Sequence, residues 1–158
     1  MKITIEVDSQ SVLDVLNRLQ RLAARPKPVL LGIGEKLIES TKARFAAQTA
    51  PDGSQWVPNS PVTIARKGKN KPPLTGETGT LMSQINYQLL DDVTLRVGSP
   101  EDYAAVQQFG AEQGAFGRNR RNAPIPWGDI PARPFLGVSE SDEETILDAF
   151  ARYLRDQD

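Results

Sequence analysis

The chain has 158 residues, 39% of them hydrophobic and 25% charged, with a formal net charge of −1. That length and balance fit one domain with a real core and exclude wholesale disorder, and near-neutrality removes any whole-molecule field that would announce a nucleic-acid or membrane partner. Cysteine and histidine are both absent, which excludes disulfides, thiolate metal sites and the Ser–His, Cys–His and His–metal chemistries together.

Residues 2–7 alternate Ile3, Ile5 and Val7 with Thr4 and Glu6, which predicts a half-buried strand. The opening MKITIEVDSQ has no apolar stretch of the signal-peptide kind, and no apolar run approaches the length of a membrane span. The expectation is a protein kept in a cytoplasm or packed into a particle assembled there, with no membrane contact. Ser9 or Ser11 can cap a helix over about 10–24, with Asp14 supporting Ser11. Val12, Leu13, Leu16, Leu19, Leu22 and Ala23 form its apolar face. The break at Arg25-Pro26-Lys27-Pro28 is short, so the helices on either side are expected to pack antiparallel on each other.

Residues 29–48 form the helix on which the rest is built. Leu30, Ile33, Leu37, Ile38, Thr41, Phe45 and Ala46 follow one helical face, while Glu35, Lys36, Glu39, Lys42 and Arg44 sit mostly off it. Gly32 and Gly34 each cost roughly 1 kcal/mol relative to Ala, so either the first turn is loose or another backbone packs closely there. The run Thr49-Ala50-Pro51-Asp52-Gly53 is a turn: Pro fixes φ, and Asp-Gly supplies positive φ. Trp56, just beyond, is expected to pin this loop to the core.

Residues 51–80 are polar and rich in Pro and Gly. Arg66, Lys67, Lys69 and Lys71 cluster there with no acid among them. The cluster reads as a solvated loop, or alternatively as a contact for a phosphate backbone or an acidic protein. No aromatic is interleaved, which argues against a stacking platform for single strands. After a turn cluster at 74–79, residues 84–90 and 93–97 read as a β-hairpin about Asp91-Asp92. Ser99 is the expected cap of a short helix at 101–109 with Tyr103, Val106 and Phe109 on one side, and Gly110 ends it. The segment to residue 131 is irregular again, with Arg118, Arg120 and Arg121 clustered and Trp127 as an expected anchor. Residues 130–138 are extended, and their prolines assign them to a sheet edge or to a strap. Ser141 and Glu144 form an expected capping box for a last helix at 142–155, with Ile146, Leu147, Phe150, Tyr153 and Leu154 as its apolar face.

The bottom-up fold is α+β: one domain over 1–158, with three amphipathic helices, one small helix and a small, mostly antiparallel sheet. Segments 57–80 and 111–131 are long loops, expected to be ordered mainly by partners. No Gly-rich phosphate loop or calcium loop is present, and no cofactor or metal is expected. A carboxylate-pair enzyme would have to use Glu35, Glu39, Asp52 or Glu77, whose spacing suggests nothing definite. A nucleic-acid-binding module using basic loops 66–71 and 118–121 is the other alternative.

Several pieces in order carry a resemblance over about 33–154. Arg44-Phe45 precedes Pro51-Asp52-Gly53 and Trp56; Tyr103-Ala104 precedes Gln108-Phe109-Gly110; and Pro131-Ala132-Arg133-Pro134-Phe135-Leu136-Gly137 comes before the final helix. This set resembles the phage virion morphogenesis family, the tail-completion proteins of Mu-like and related contractile-tailed phages and prophages. The family usually has a His where Gln107 or Gln108 stands here. The resemblance implies a structural protein rather than an enzyme, with no catalytic residues. It implies action late in assembly, in tail completion and head–tail joining at the neck, as a ring that is commonly hexameric. The partners it implies are copies of the chain and the tail and head-connector proteins, in a virion assembled in the host bacterial cytoplasm. Arg66, Lys67, Lys69 and Lys71 are then expected on an acidic neighbour or near the DNA channel, in non-specific contact with the DNA.

Overall fold

The computed structural model describes residues 10–68 and 71–155. The strand expected at 2–7 lies outside the described residues, and so does Lys69. Among them are six helices and one two-stranded antiparallel sheet, an α+β arrangement. Helix α1 covers Gln10–Ala23 and α2 covers Lys27–Ala47. Pro26 caps α2 and Pro28 occupies its first turn, where a missing N–H costs no helical bond. Gln48 ends it in the left-handed conformation (φ 58°), its N–H bonded to the Arg44 carbonyl.

The α2 stripe that turns inward is Val29, Ile33, Gly34, Thr41, Arg44 and Phe45. Arg44 was expected off this face and is instead buried on it, and Ala46 was expected on the face and is exposed. The reason is angular: Arg44 lies three residues beyond Thr41 and adjoins Phe45, and it finds acceptors inside.

Strands β1 (Asn86–Leu89) and β2 (Leu95–Gly98) pair in the register Tyr87 with Val97 and Leu89 with Leu95. Both pairs point toward α2. Tyr87 lies directly on Gly34, where an added Cβ would come within 2.6 Å of the ring. A side chain, not a backbone, therefore explains that glycine. Asp91 organises the connecting turn by accepting from the Val93 N–H (2.8 Å) and the Thr94 hydroxyl (2.9 Å).

Three short helices complete the middle of the chain. Helix α3 (Pro61–Lys67) arises inside a segment expected to be irregular; Ser60 caps it and Pro61 opens it. Helix α4 (Thr80–Ser83) buries Leu81. Helix α5 (Ala104–Phe109) starts later than expected. Ser99 bonds the Glu101 N–H in the preceding turn and does not cap α5, and both Tyr103 and Phe109 are exposed.

Helix α6 (Glu140–Arg155) is capped by Ser139 and Asp142 rather than by Ser141 and Glu144. The Ser139 hydroxyl accepts from the Asp142 N–H (3.2 Å), and the Asp142 carboxylate accepts from the Ser139 N–H (2.9 Å), a reciprocal capping box two residues earlier. Ile146, Phe150, Tyr153 and Leu154 turn partly inward, whereas Leu147 points outward. Helix α6 packs along α2 and also receives α1, and its Tyr153 hydroxyl donates to the carbonyl of Arg25 in the link between α1 and α2 (2.8 Å). The expected pairing of α1 on α2 is thus replaced by α1 on α6. A short linker fixes how near two helices start, not the direction in which they leave. Val12, Leu13, Val15 and Leu16 of α1 consequently remain exposed.

The core gathers Phe45, Ala50, Trp56, Leu81, Ile85, Ala104 and Phe135, with Ile38, Met82 and Val97 packed around them. Phe45 is its hub. Its ring meets Trp56 edge-on and Phe135 at a tilt, both with centroids 5.4 Å apart.

Candidate functional site

Most of the ordered motif converges on residues 131–138, which cross the core as a strap. Trp56 Nε1 donates to the Pro134 carbonyl at 2.8 Å, so the expected anchoring of the 49–56 turn holds. Arg133 is buried and donates to the carbonyls of Val57 (2.7 Å) and Pro58 (3.0 Å). Burial lowers its pKa from the ordinary arginine value. Pro131 lies against Gly110 (φ +76°), where a Cβ would come within 2.7 Å of the Ile130 carbonyl and 2.8 Å of the Ala132 nitrogen. Asp52 accepts from Ser54 N–H and hydroxyl, and those two bonds hold its carboxyl below the ordinary range while Gly53 (φ +83°) completes the turn. Pro51 packs against Gly137, where a Cβ would stand 2.6 Å from its ring.

Two polar side chains hold the strap from opposite sides. Gln108 stands where the resemblance expects a histidine at 107 or 108. Its oxygen accepts from the N–H groups of Phe135 and Leu136, both at 3.0 Å, and its nitrogen donates to the Leu136 carbonyl at 2.9 Å. One amide thus gives the strap at Phe135 and Leu136 the bonds that a neighbouring strand would make. From α2, Arg44 donates to the carbonyls of Phe135 (3.1 Å) and Gly137 (2.9 Å), to the Ser40 hydroxyl (3.1 Å) and to Asp142. The Asp142 carboxylate also accepts from the Ser139 hydroxyl at 2.7 Å. Burial raises its pKa, but bonds from Ser40 and Ser139 and the Arg44 charge outweigh that, and the net direction is downward. No sequence signal identified these two clamps, because their partners lie up to 98 residues away.

The acids nominated for catalysis do not converge. Glu35 accepts from the Tyr87 hydroxyl (3.0 Å), Glu39 pairs with Lys36 (2.9 Å) and Asp52 is held in its own turn. Glu77 borders an open groove of about 600 Å³ that also touches Lys67, Tyr103, Asp129 and Arg133. Among the described residues no three His, Cys, Asp or Glu side chains form a group that could hold a metal.

The basic residues fall in two places. Arg66 and Lys67 end α3, Lys71 follows, and all three are exposed. Arg118, Arg120 and Arg121 sit on the outer end of segment 111–131. Trp127, expected to anchor that segment, is exposed instead. Among the described residues no core carbonyl or ring pairs with it as Pro134 and Phe45 pair with Trp56.

This arrangement defines an α+β scaffold whose buried polar groups fasten backbone to backbone and whose large apolar side chains stand partly outside. The sequence profile of the phage virion morphogenesis family matches residues 7–155. The chain belongs to that family and is an assembly protein of the phage virion. It is 31% identical over 154 residues to "Mu-like prophage FluMu G protein 2" of Haemophilus influenzae, covering 97% of this chain and 96% of the relative. It is 31% identical over 157 residues to "Putative capsid assembly protein G" of Escherichia phage Mu, covering 96% and 92%. Identity to "Tail completion protein S" of Escherichia phage P2 is 23% over 131 residues, covering 77% and 79%. No solved structure matches. Among the described residues no helix is long and apolar enough to cross a membrane.

Proposed function

We propose that this protein completes the phage tail and prepares it for joining to the head, acting at the neck as a closed ring of identical copies and transforming no molecule. One observation carries the reading. The buried Arg44 and Arg133 and the half-buried Gln108 are occupied in holding the strap, while Phe109 on α5, Phe116 and Trp127 on segment 111–131 and Leu147 on α6 stand exposed. Exposed aromatics among polar neighbours suit contacts with other proteins. Two unlike faces on one subunit suit a head-to-tail ring. Segment 57–80 meets neighbouring tail and connector proteins, and segment 111–131 reaches a neighbouring copy. The likeness to a relative named a tail completion protein supports the assignment to the tail. The test is sizing and electron microscopy of the purified protein, alone and with tails. Rings, or density at the head-proximal end of the tail, are the expected result. A turnover activity abolished by changing one carboxylate overturns the reading.

Arg66, Lys67, Lys69 and Lys71 are proposed to meet an acidic neighbour or the DNA passing through the neck. Reversing their charge should impair particle assembly. Binding to duplex DNA that weakens with salt in proportion to the phosphates contacted would favour the second target.

A further inference from the structure

Segment 111–131 is bonded to itself. Ala111 and Ile130 exchange N–H to carbonyl bonds at its base, at 2.9 and 2.7 Å. Further out, the Phe116 N–H reaches the Ile125 carbonyl (2.7 Å) and the Ile125 N–H reaches the Gly117 carbonyl (2.8 Å). Asn119 closes the tip, its side-chain oxygen accepting from the N–H groups of Arg121 (2.9 Å) and Ala123 (3.0 Å). The result is a preformed arm, so little ordering is left to be done when a partner arrives. Phe116 is 57% exposed and Trp127 72%, while Phe109, close to the base, is 77% exposed. Arg118, Arg120 and Arg121 surround the tip, and among the described residues no carboxylate lies within ion-pair distance of any of them.

A matching face lies on α6. Glu140, Glu143, Glu144 and Leu147 fall at i, i+3, i+4 and i+7, so they share one side, and all four are exposed. Val138, just ahead of the helix, is exposed too. The capping of α6 is done by Ser139 and Asp142, which face the opposite way toward Arg44. The three glutamates take no part in those capping bonds. Within one copy the arm and this face stand at opposite ends of the strap, whose eight residues span up to roughly 25 Å. The arm is fastened beside α5, and the start of α6 beside the end of α2.

We propose that the arm of one copy seats on the outer face of α6 of the next copy. Arg118, Arg120 and Arg121 meet Glu140, Glu143 and Glu144, and Trp127 and Phe116 cover Leu147 and Val138. The charges set register and encounter rate, and the aromatics supply most of the affinity. The contact joins two unlike faces, so it propagates head to tail. This inference rests on the ring reading above and gives it an interface.

The test uses the full chain, whose lack of cysteine makes engineered pairs unambiguous. Arg120→Cys with Glu143→Cys, treated with a short bismaleimide, should give a ladder of cross-linked oligomers, and neither single variant should go beyond a dimer. In parallel, sedimentation of the uncross-linked protein should show self-association weakened by about tenfold or more when Arg118, Arg120 and Arg121 are all changed to Glu. Combining those changes with Glu140→Lys, Glu143→Lys and Glu144→Lys should restore it, and circular dichroism checks that each variant is folded. Association that persists through arm reversal, with no ladder, overturns this interface and leaves the ring standing. Loss on reversal with neither recovery nor ladder overturns it as well. A wild-type chain that stays monomeric, together with a double-cysteine variant that yields no ladder, overturns both.

Discussion

At the scale of single residues, the Arg44–Asp142 pair is the most exacting feature of the molecule. Both side chains are buried, so each charge depends on the other and on the hydroxyls and carbonyls around them. Asp142 titrates below its ordinary value in the folded chain. The stability it contributes is therefore complete above the unfolded Asp pKa of about 3.9, and it is lost as pH falls through the lower native value. Urea denaturation should give a flat stability from neutral pH down to about pH 4 for this group, then a decline. Asp142→Asn should remove that share of the decline and cost about 3 kcal/mol at pH 7, because it leaves the Arg44 cation buried without its counter-charge. Gln108 poses a different case, a neutral side chain that satisfies two N–H groups and one carbonyl of the strap. Gln108→Ala leaves those groups without it and should cost about 2 kcal/mol in the same assay.

Among the elements, the seam between α2 and the hairpin turns on two glycines with opposite roles. Gly34 faces the Tyr87 ring, with 2.6 Å available to a Cβ, while nothing lies within 4 Å of a Cβ at Gly32. Gly32→Ala should therefore stabilise the chain by roughly 1 kcal/mol through helix propensity alone. Gly34→Ala gains the same propensity but must displace the ring, and should come out destabilising by about 1–2 kcal/mol. Adding Tyr87→Ala should abolish the clash, so thermal melts of the double variant reveal the coupling. The helices and the hairpin were readable because their apolar residues repeat with the periods that those structures impose. Helix α3 was not read: Ser60 and Pro61 are helix-start signals, but the polar, Pro- and Gly-rich surroundings and the basic end matched a loop. The burial of Arg44 was not readable, because its acceptors are supplied by a strap 91 to 93 residues further along the chain. The two tryptophans make the same point: each stands next to or near proline, and only Trp56 meets a carbonyl and an aromatic ring in the folded chain. Which face of a helix is buried is largely local information; which side chain finds a partner there is not. The candidate site followed suit, since the motif residues could be named from the sequence while the arm and its exposed aromatics needed the fold.

For the molecule as a whole, those tryptophans offer a direct reading of assembly. Trp56 is 5% exposed and Trp127 is 72% exposed. Trp127→Phe leaves the arm's backbone bonds in place, so subtracting its emission from that of the wild type isolates Trp127. In dilute protein that difference spectrum should be strongly quenched by acrylamide, and the spectrum of the variant should be largely protected. As concentration rises and mass increases, the Trp127 signal should shift to the blue and lose its access to quencher, while Trp56 stays as it was. Trp127→Ala should weaken the association by about 2 kcal/mol, the scale of a central aromatic anchor. Raised salt should weaken it further by screening the arginines around the arm, although the buried part of the contact is less sensitive. Mass that rises while Trp127 remains open to quencher would mean that copies meet elsewhere. The exposed Val12, Leu13, Val15 and Leu16 of α1 are the next apolar group to test by the same substitutions.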